Sequence, residues 1–302
     1  MINTRYVLTL AFLALVPAAH ALTLPAAFSM EVGQRVDLRT LTAGDATFTS
    51  SDPAVVSIES GRFAVVKHLT ADGTPLTITA TRGGSTVNAT VSTHGIEYAV
   101  GQIKSFGSDN SVEGQLLVVR ARLAGDIAPD GIGLAFAFGN ADINKFPPGP
   151  VPTRALSVVG KMKVFASTFP LNEAYTFRVR AGDIERTIRL PALRSYSGPT
   201  SSFTAGVQAT FQNGSFSATG PAQVTPRSFS LRLVPAIGGL EGAIDAALPS
   251  LRLPLSATLQ GLTGGIYNVS LRAFDSPVLD PKTVLPDRAN ATQQFLLSTT
   301  VR

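Results

Sequence analysis

The sequence predicts an all-β chain of serial two-sheet sandwiches, on three observations. Tyr175-Thr-Phe-Arg-Val-Arg-Ala-Gly-Asp183 recurs as Tyr267-Asn-Val-Ser-Leu-Arg-Ala-Phe-Asp275, 92 positions later, so one structural unit is used twice. After each tyrosine the apolar residues fall on every second position, Phe177 and Val179 in one copy and Val269 and Leu271 in the other, which is the period of a strand with one buried face. The chain has 302 residues where one sandwich needs about 100, so two or three modules fit, each able to bury its own core.

The chain opens like a secretory signal. Arg5 supplies the positive start, Val7 to Val16 the apolar stretch, and Ala19-His-Ala21 a small-x-small cleavage site, so residues 1–21 are expected to be removed and the mature chain to begin at Leu22. That stretch is too short to span a bilayer, and no later run approaches the roughly 18 residues a spanning helix needs. The expected location is extracellular or in the cell envelope, the periplasm included. Export usually invites disulfides, yet the chain has 0 Cys, so the fold rests on its cores alone. The same absence excludes a thiol nucleophile, a soft-metal site and a lipid-anchored N-terminal Cys. With His68 and His94 the sole histidines after cleavage, a zinc site is not expected either. The 0 Trp and 5 Tyr speak against the aromatic girdles of an outer-membrane barrel. Net charge is −1 over 22–95, +3 over 96–195 and +2 over 196–302, a mild excess without the clustering of a nucleic-acid footprint.

Residues 22–95 form the first expected module, rich in Thr, Ser, Val and Ala with turn residues at short intervals. In Ser51-Asp52-Pro53 the Asp caps its own backbone and Pro presets φ, and Val55, Val56, Ser57 and Ile58 alternate along the strand that follows. Phe48-Thr-Ser-Ser-Asp-Pro, the Val/Ile alternation, Ser60-Gly61, Leu76-Thr-Ile-Thr-Ala80 and Arg82-Gly-Gly-Ser together resemble the bacterial Ig-like domain of group 2, over about 70 residues. Phe48 stands where that family usually carries Trp, one core aromatic for another.

Residues 96–195 form the second. Leu116 to Leu123 reads as a strand with Leu117, Val119, Ala121 and Leu123 on one face and Arg120 and Arg122 on the other. Lys145-Phe-Pro-Pro-Gly-Pro-Val-Pro152 cannot be a central strand, because its four Pro lack ladder donors, and is expected as an exposed loop that binds or merely connects. Tyr175 to Leu190 is a hairpin turning near Ala181-Gly-Asp183. The third module, 196–302, is entered through the linker-like Ser195-Tyr-Ser-Gly-Pro-Thr-Ser-Ser202. Asn213-Gly214 between alternating flanks predicts a tight hairpin, and Leu240, Ile244 and Leu248, four apart, suggest one short helix over 239–247.

With Tyr-x-Φ-x-Φ-Arg-Ala-x-Asp in each, the second and third modules resemble fibronectin type III domains, Ig-like sandwiches in which this motif lies on the sixth strand; the Trp those domains carry on the second strand is absent from both. The resemblance implies that Tyr175 and Tyr267 bond back to main chain and serve structure.

A search for chemistry finds no nucleophile elbow, phosphate loop, zinc helix or calcium loop. No catalytic residue, cofactor or metal is expected. Asp126, Asp130 and Asp142 read as turn residues. The candidate site is a basic face: alternation that buries Tyr175, Phe177 and Val179 turns Arg178 and Arg180 outward, and pairing across the hairpin adds Arg189, three guanidiniums suited to forked bonds with carboxylate, phosphate or sulfate. Arg on the solvent face of a strand equally blunts strand-to-strand association. The expected function is a non-enzymatic secreted or cell-surface protein in adhesion, envelope glycan binding or scaffolding, with a cell-envelope polysaccharide or surface protein as partner and no specific nucleic acid. The alternative is an accessory module or small hydrolase acting on an extracellular polymer, marked by a cleft with two carboxylates about 5 to 9 Å apart.

Overall fold

The structure is a computed structural model, which describes residues 21–42, 45–107, 111–151, 157–195, 207–212, 214–219, 227–237, 244–248, 255–259 and 262–301. The signal-like stretch, apart from Ala21, the linker after Ser195 and Asn213 of the third-module hairpin lie outside the described residues.

The described chain is all-β. Its first sandwich pairs a sheet of β1 (Ala27–Glu31), β3 (Thr47–Ser50), β6 (Leu76–Arg82) and the start of β7 (Ser85–Phe106) with a sheet of β2 (Arg35–Asp37), β4 (Val56–Glu59) and β5 (Phe63–Val66). Period-2 patterning builds it: Leu76, Ile78 and Ala80 are buried with Phe48, Val56, Ala64 and Val91, while Thr77 and Thr79 face outward. The Asp52 turn forms as its residue types require, with Oδ1 accepting from Ala54 N at 3.0 Å.

The second sandwich uses β8 (Ser111–Arg122), β9 (Gly133–Phe138), β10 (Gly149–Pro150), β11 (Ser157–Val159), β12 (Met162–Pro170), β13 (Tyr175–Ala181) and β14 (Ile184–Leu190) with the rest of β7. With the two-residue β10 set aside, the strands in chain order are A to G. The sheets then read β7-β8-β12-β11, or A-B-E-D, and β9-β13-β14, or C-F-G, which is the immunoglobulin-like order. Between them lie Leu117, Val119, Phe165, Tyr175, Phe177, Val179 and Ile188. Among the described residues the Pro-rich stretch supplies one short strand, β10, at an edge beside β9, where a missing donor does no harm.

The third sandwich consists of β15 (Gln208–Gln212), β16 (Ser215–Thr219), β17 (Ser228–Pro235), β18 (Ile244–Ala247), β19 (Leu255–Thr258), β20 (Gly265–Phe274) and β21 (Ala291–Val301). Its sheets are β15-β16-β19 and β18-β17-β20-β21, the same order with the fourth strand moved beside the third. The helix expected over 239–247 is not what forms at 244–247. These residues pair antiparallel with Ser230–Leu233, because four residues too few to fix a period are recruited by the open edge of β17; residues 239–243 lie outside the described part.

The modules are fused. β7 runs unbroken for 22 residues, closing the first sandwich and opening the second, and its far end pairs in parallel with β21 of the third at Ile103–Phe106 against Ala291–Gln294. Strands apolar on both faces result. Leu117 and Val119 point into the second core, whereas Leu116 and Val118 pack with Ala99, Ile103, Val164, Phe274 and Val278 in a core shared with the first module. Each such fully buried aliphatic contributes about 1.5–3 kcal/mol relative to exposure.

Candidate functional site

The repeated tyrosines behave differently. Tyr267 Oη donates to the carbonyl oxygen of Thr263 at 3.0 Å, the expected corner back to main chain. Tyr175 shows no such bond among the described residues; its ring packs among Phe138, Phe169 and Phe177, and burial, helped by Glu173, raises its hydroxyl pKa above the ordinary value. The aspartates diverge too. Asp183 sits in the two-residue turn after β13, while Asp275 closes the base of a long loop, its carboxylate accepting from Asn290 N at 2.8 Å and Nδ2 at 3.0 Å.

That loop, 275–290, is what Arg120 grips. Arg120 is 1 % exposed, and its guanidinium donates at 2.9 Å to each of four loop carbonyls, those of Pro277, Val278, Asp280 and Thr283, and at 3.5 Å to Glu97. Burial lowers its pKa below the ordinary value, opposed by the charge of Glu97. Arg122, equally buried, donates to Asp72 at 3.0 Å, to Thr93 O at 3.2 Å and to both oxygens of Thr70 at 2.7 Å, and lies 3.1 Å from Asp126. The sequence places these arginines opposite the second core. That second face is covered by the other two modules, so each charge is met by an acid and by carbonyls, as a buried charge requires. Asp72 joins all three modules, accepting from Lys161 N at 2.8 Å and donating its own N–H to Pro281 O at 2.9 Å.

The outward arginines of the β13–β14 hairpin share one face, through the pairs Thr176 with Arg189, Arg178 with Thr187 and Arg180 with Glu185. Glu185 also stands on that face and takes Arg178 in a two-nitrogen contact, at 2.9 Å from Nε and 2.8 Å from Nη2. Arg178 is thus neutralised, Arg180 stays exposed, and Arg189 turns to a different company.

That company is a cleft of about 340 Å³ where the modules meet. Lys67 and His68 come from the end of β5, Glu97, Tyr98 and Val100 from β7, Arg186 and Arg189 from β14, and Asp287 and Arg288 from the long loop. Glu97 forms the floor, 3 % exposed, accepting from Leu69 N at 3.1 Å and lying 3.4 Å from His68 Nδ1. Arg186 donates to Ile96 O at 2.6 Å with its guanidinium 5.1 Å from the Tyr98 ring centre. Arg288 is set by main chain, in a bridge with Val100 flanked by Val100 N to Asp287 O at 3.2 Å and Ala289 N to Val100 O at 3.1 Å.

Sequence reasoning reached Arg189 but not Lys67, Arg186 or Arg288. A signal existed for Arg186, which falls in the inward phase of β14 with Ile188 and Leu190, where an unpaired cation is costly. The aspartates read as turn residues make local bonds: Asp126 is held by Arg122 and Lys161, and Asp142 caps its own turn by accepting from Asn144 N at 3.0 Å. A wider hollow on the outer face of β15-β16-β19 is lined by Thr210, Gln212, Ser217 and Thr258 and carries no charge.

Strand order and cores define a tandem Ig-like protein. Models of known protein families match no part of the chain, and no curated protein matches it. Among solved structures, similar chains include the chicken CNTN1 FN1–FN3 domains, at TM-score 0.22 and 13% identity over 86% of this chain and 92% of that one, and titin domains A168–A170, at 0.19 and 8% over 93% and 96%. Domains 1–6 of the surface layer protein SbsC give 0.18 and 12%, with 92% of this chain matching 40% of that one. The Ig-like assignment rests on the strand order and the cores. No helix among the described residues is long and apolar enough to cross a membrane.

Proposed function

We propose that this is a non-enzymatic protein of the cell exterior or envelope, with a signal peptide at 1–21 and modules at 22–95, 96–195 and 196–302. The first module is of the bacterial Ig-like group 2 kind, and the protein acts in adhesion, envelope glycan binding or scaffolding. The observation that carries the reading is the cleft to which all three modules contribute, beside a buried network that ties the modules to one another. Loops set on a rigid frame are where such scaffolds bind, and a site assembled from residues as distant in sequence as Lys67 and Arg288 exists only while the frame is intact. The partner is a cell-envelope polysaccharide or surface protein. The test is a pull-down of the mature protein with intact cells, peptidoglycan and envelope polysaccharide. Retention on at least one is expected, and retention on none overturns the reading.

A further inference from the structure

The same cleft carries a specific chemistry. Its walls hold four cations, Lys67, Arg186, Arg189 and Arg288, none of which makes an ion pair among the described residues. Of the two carboxylates present, Glu97 is already engaged by Arg120, Leu69 N and His68, which leaves Asp287 as the balancing acid. Positive charge gathered in a recess walled by protein is focused, and counter-ions concentrate there more than on an open face.

One donor is held in place and another is placed by its backbone. The Arg186 guanidinium is pinned by Ile96 O and the Tyr98 ring, and the main chain of Arg288 is fixed by its bridge to β7, so part of the ordering cost is met before a ligand arrives. Guanidinium forks match the two oxygens of a carboxylate or phosphate. A volume of about 340 Å³ sits at the lower end of the range for small-molecule sites, about 300–1,000 Å³, so the cleft takes one or two units of a chain rather than the surface of a duplex.

We infer that the cleft binds the oxyanion groups of an acidic extracellular polysaccharide, with Lys67, Arg186, Arg189 and Arg288 as the recognising side chains. This rests on the binding role proposed above and names the ligand class for it. Carboxylate and phosphate share the recognising chemistry, and the polymer that binds distinguishes them.

The experiment is calorimetric titration of the full mature protein with a uronic-acid polymer, a phosphodiester-linked polyol polymer, a neutral glucan and a short DNA duplex. Binding to one or both acidic polymers is expected, weakening steeply with added salt, with none to the glucan. The double variant Arg189→Gln/Arg288→Gln should lose about ten-fold or more in affinity, the size of one charge-assisted hydrogen bond. Arg39→Gln, which removes a surface charge paired with Asp45 in the first module, should bind as the parent does. A double variant that binds as tightly as the parent, a glucan that binds equally well, or a duplex preferred over both acidic polymers would each overturn the inference. Should the protein be retained by cells or peptidoglycan yet bind neither acidic polymer, the inference fails and the binding role stands. Retention by none of them removes both.

Discussion

Gly101 lies against the main chain of Ala289 so closely that a Cβ on it would stand 1.7 Å from the Ala289 carbonyl oxygen. Around this contact Ala289 N donates to Val100 O at 3.1 Å and Gln102 N to Asn290 Oδ1 at 2.9 Å, stitching the long loop of the third module to β7. No side chain fits there without parting the two backbones. Gly101→Ala should cost about 1–3 kcal/mol, as overpacking does, and should also reduce ligand retention, because Arg288 is set by the same stitch. Urea denaturation followed by the pull-down reads both effects; a parent-like midpoint would show that the loop does not sit on β7.

Arg120 is the residue whose loss should cost most. Arg120→Met leaves Glu97 without its buried partner and frees four loop carbonyls, and breaking a buried pair from one side costs about 3–5 kcal/mol. Arg120→Lys should recover little, since one ammonium cannot reach acceptors spread around a planar fork. Adding Glu97→Gln to Arg120→Met should return part of the loss by removing the orphaned charge. Chemical denaturation of the three variants checks the order.

The tyrosines of the repeated motif give a paired comparison within one chain. Tyr267→Phe removes the bond to Thr263 O and should cost about 1 kcal/mol, whereas Tyr175→Phe removes no bond seen among the described residues and should stay within about 0.5 kcal/mol of the parent. Equal losses in thermal melts would count against the difference between the two corners.

Asp37 links stability to pH. Partial burial acts to raise its pKa, but the bonds from the Arg62 guanidinium and Arg39 N, and the two positive charges, outweigh it and hold the carboxyl below its ordinary value. A carboxylate depressed in the folded state adds stability that is present above its unfolded pKa of about 3.9 and is lost as pH falls through the lower folded value. Asp37→Asn should therefore be less stable than the parent near neutrality, with the gap closing below about pH 4. A gap unchanged down to strongly acid pH would be the contrary result in pH-dependent melts.

Strand alternation made much of the fold legible. Tyr175, Phe177 and Val179 are buried as their phase requires, the Asp52 turn falls where its residue types put it, β15 pairs antiparallel with β16 as the alternation of its flanks predicts, and Arg178, Arg180 and Arg189 share a face. The cleft was legible only in part, as Arg189. A period of two says which side chains share a face and nothing of what covers that face. Leu116 and Val118, apolar in the same phase as Arg120 and Arg122, were the local sign that β8 is buried on both sides.

By itself, then, the sequence determined the all-β class, the strand repeated at Tyr175 and Tyr267 and the inward set of that strand, because those follow from local sterics and alternation. Tertiary structure alone decided that β7 serves two sandwiches, that β21 joins it from the third, and that Arg120 meets Glu97 and the carbonyls of 277–283. The physical reason is that a buried charge is satisfied by whichever groups the packing of distant segments brings to it. The same packing of distant segments brings Lys67, Arg189 and Arg288 to one cleft.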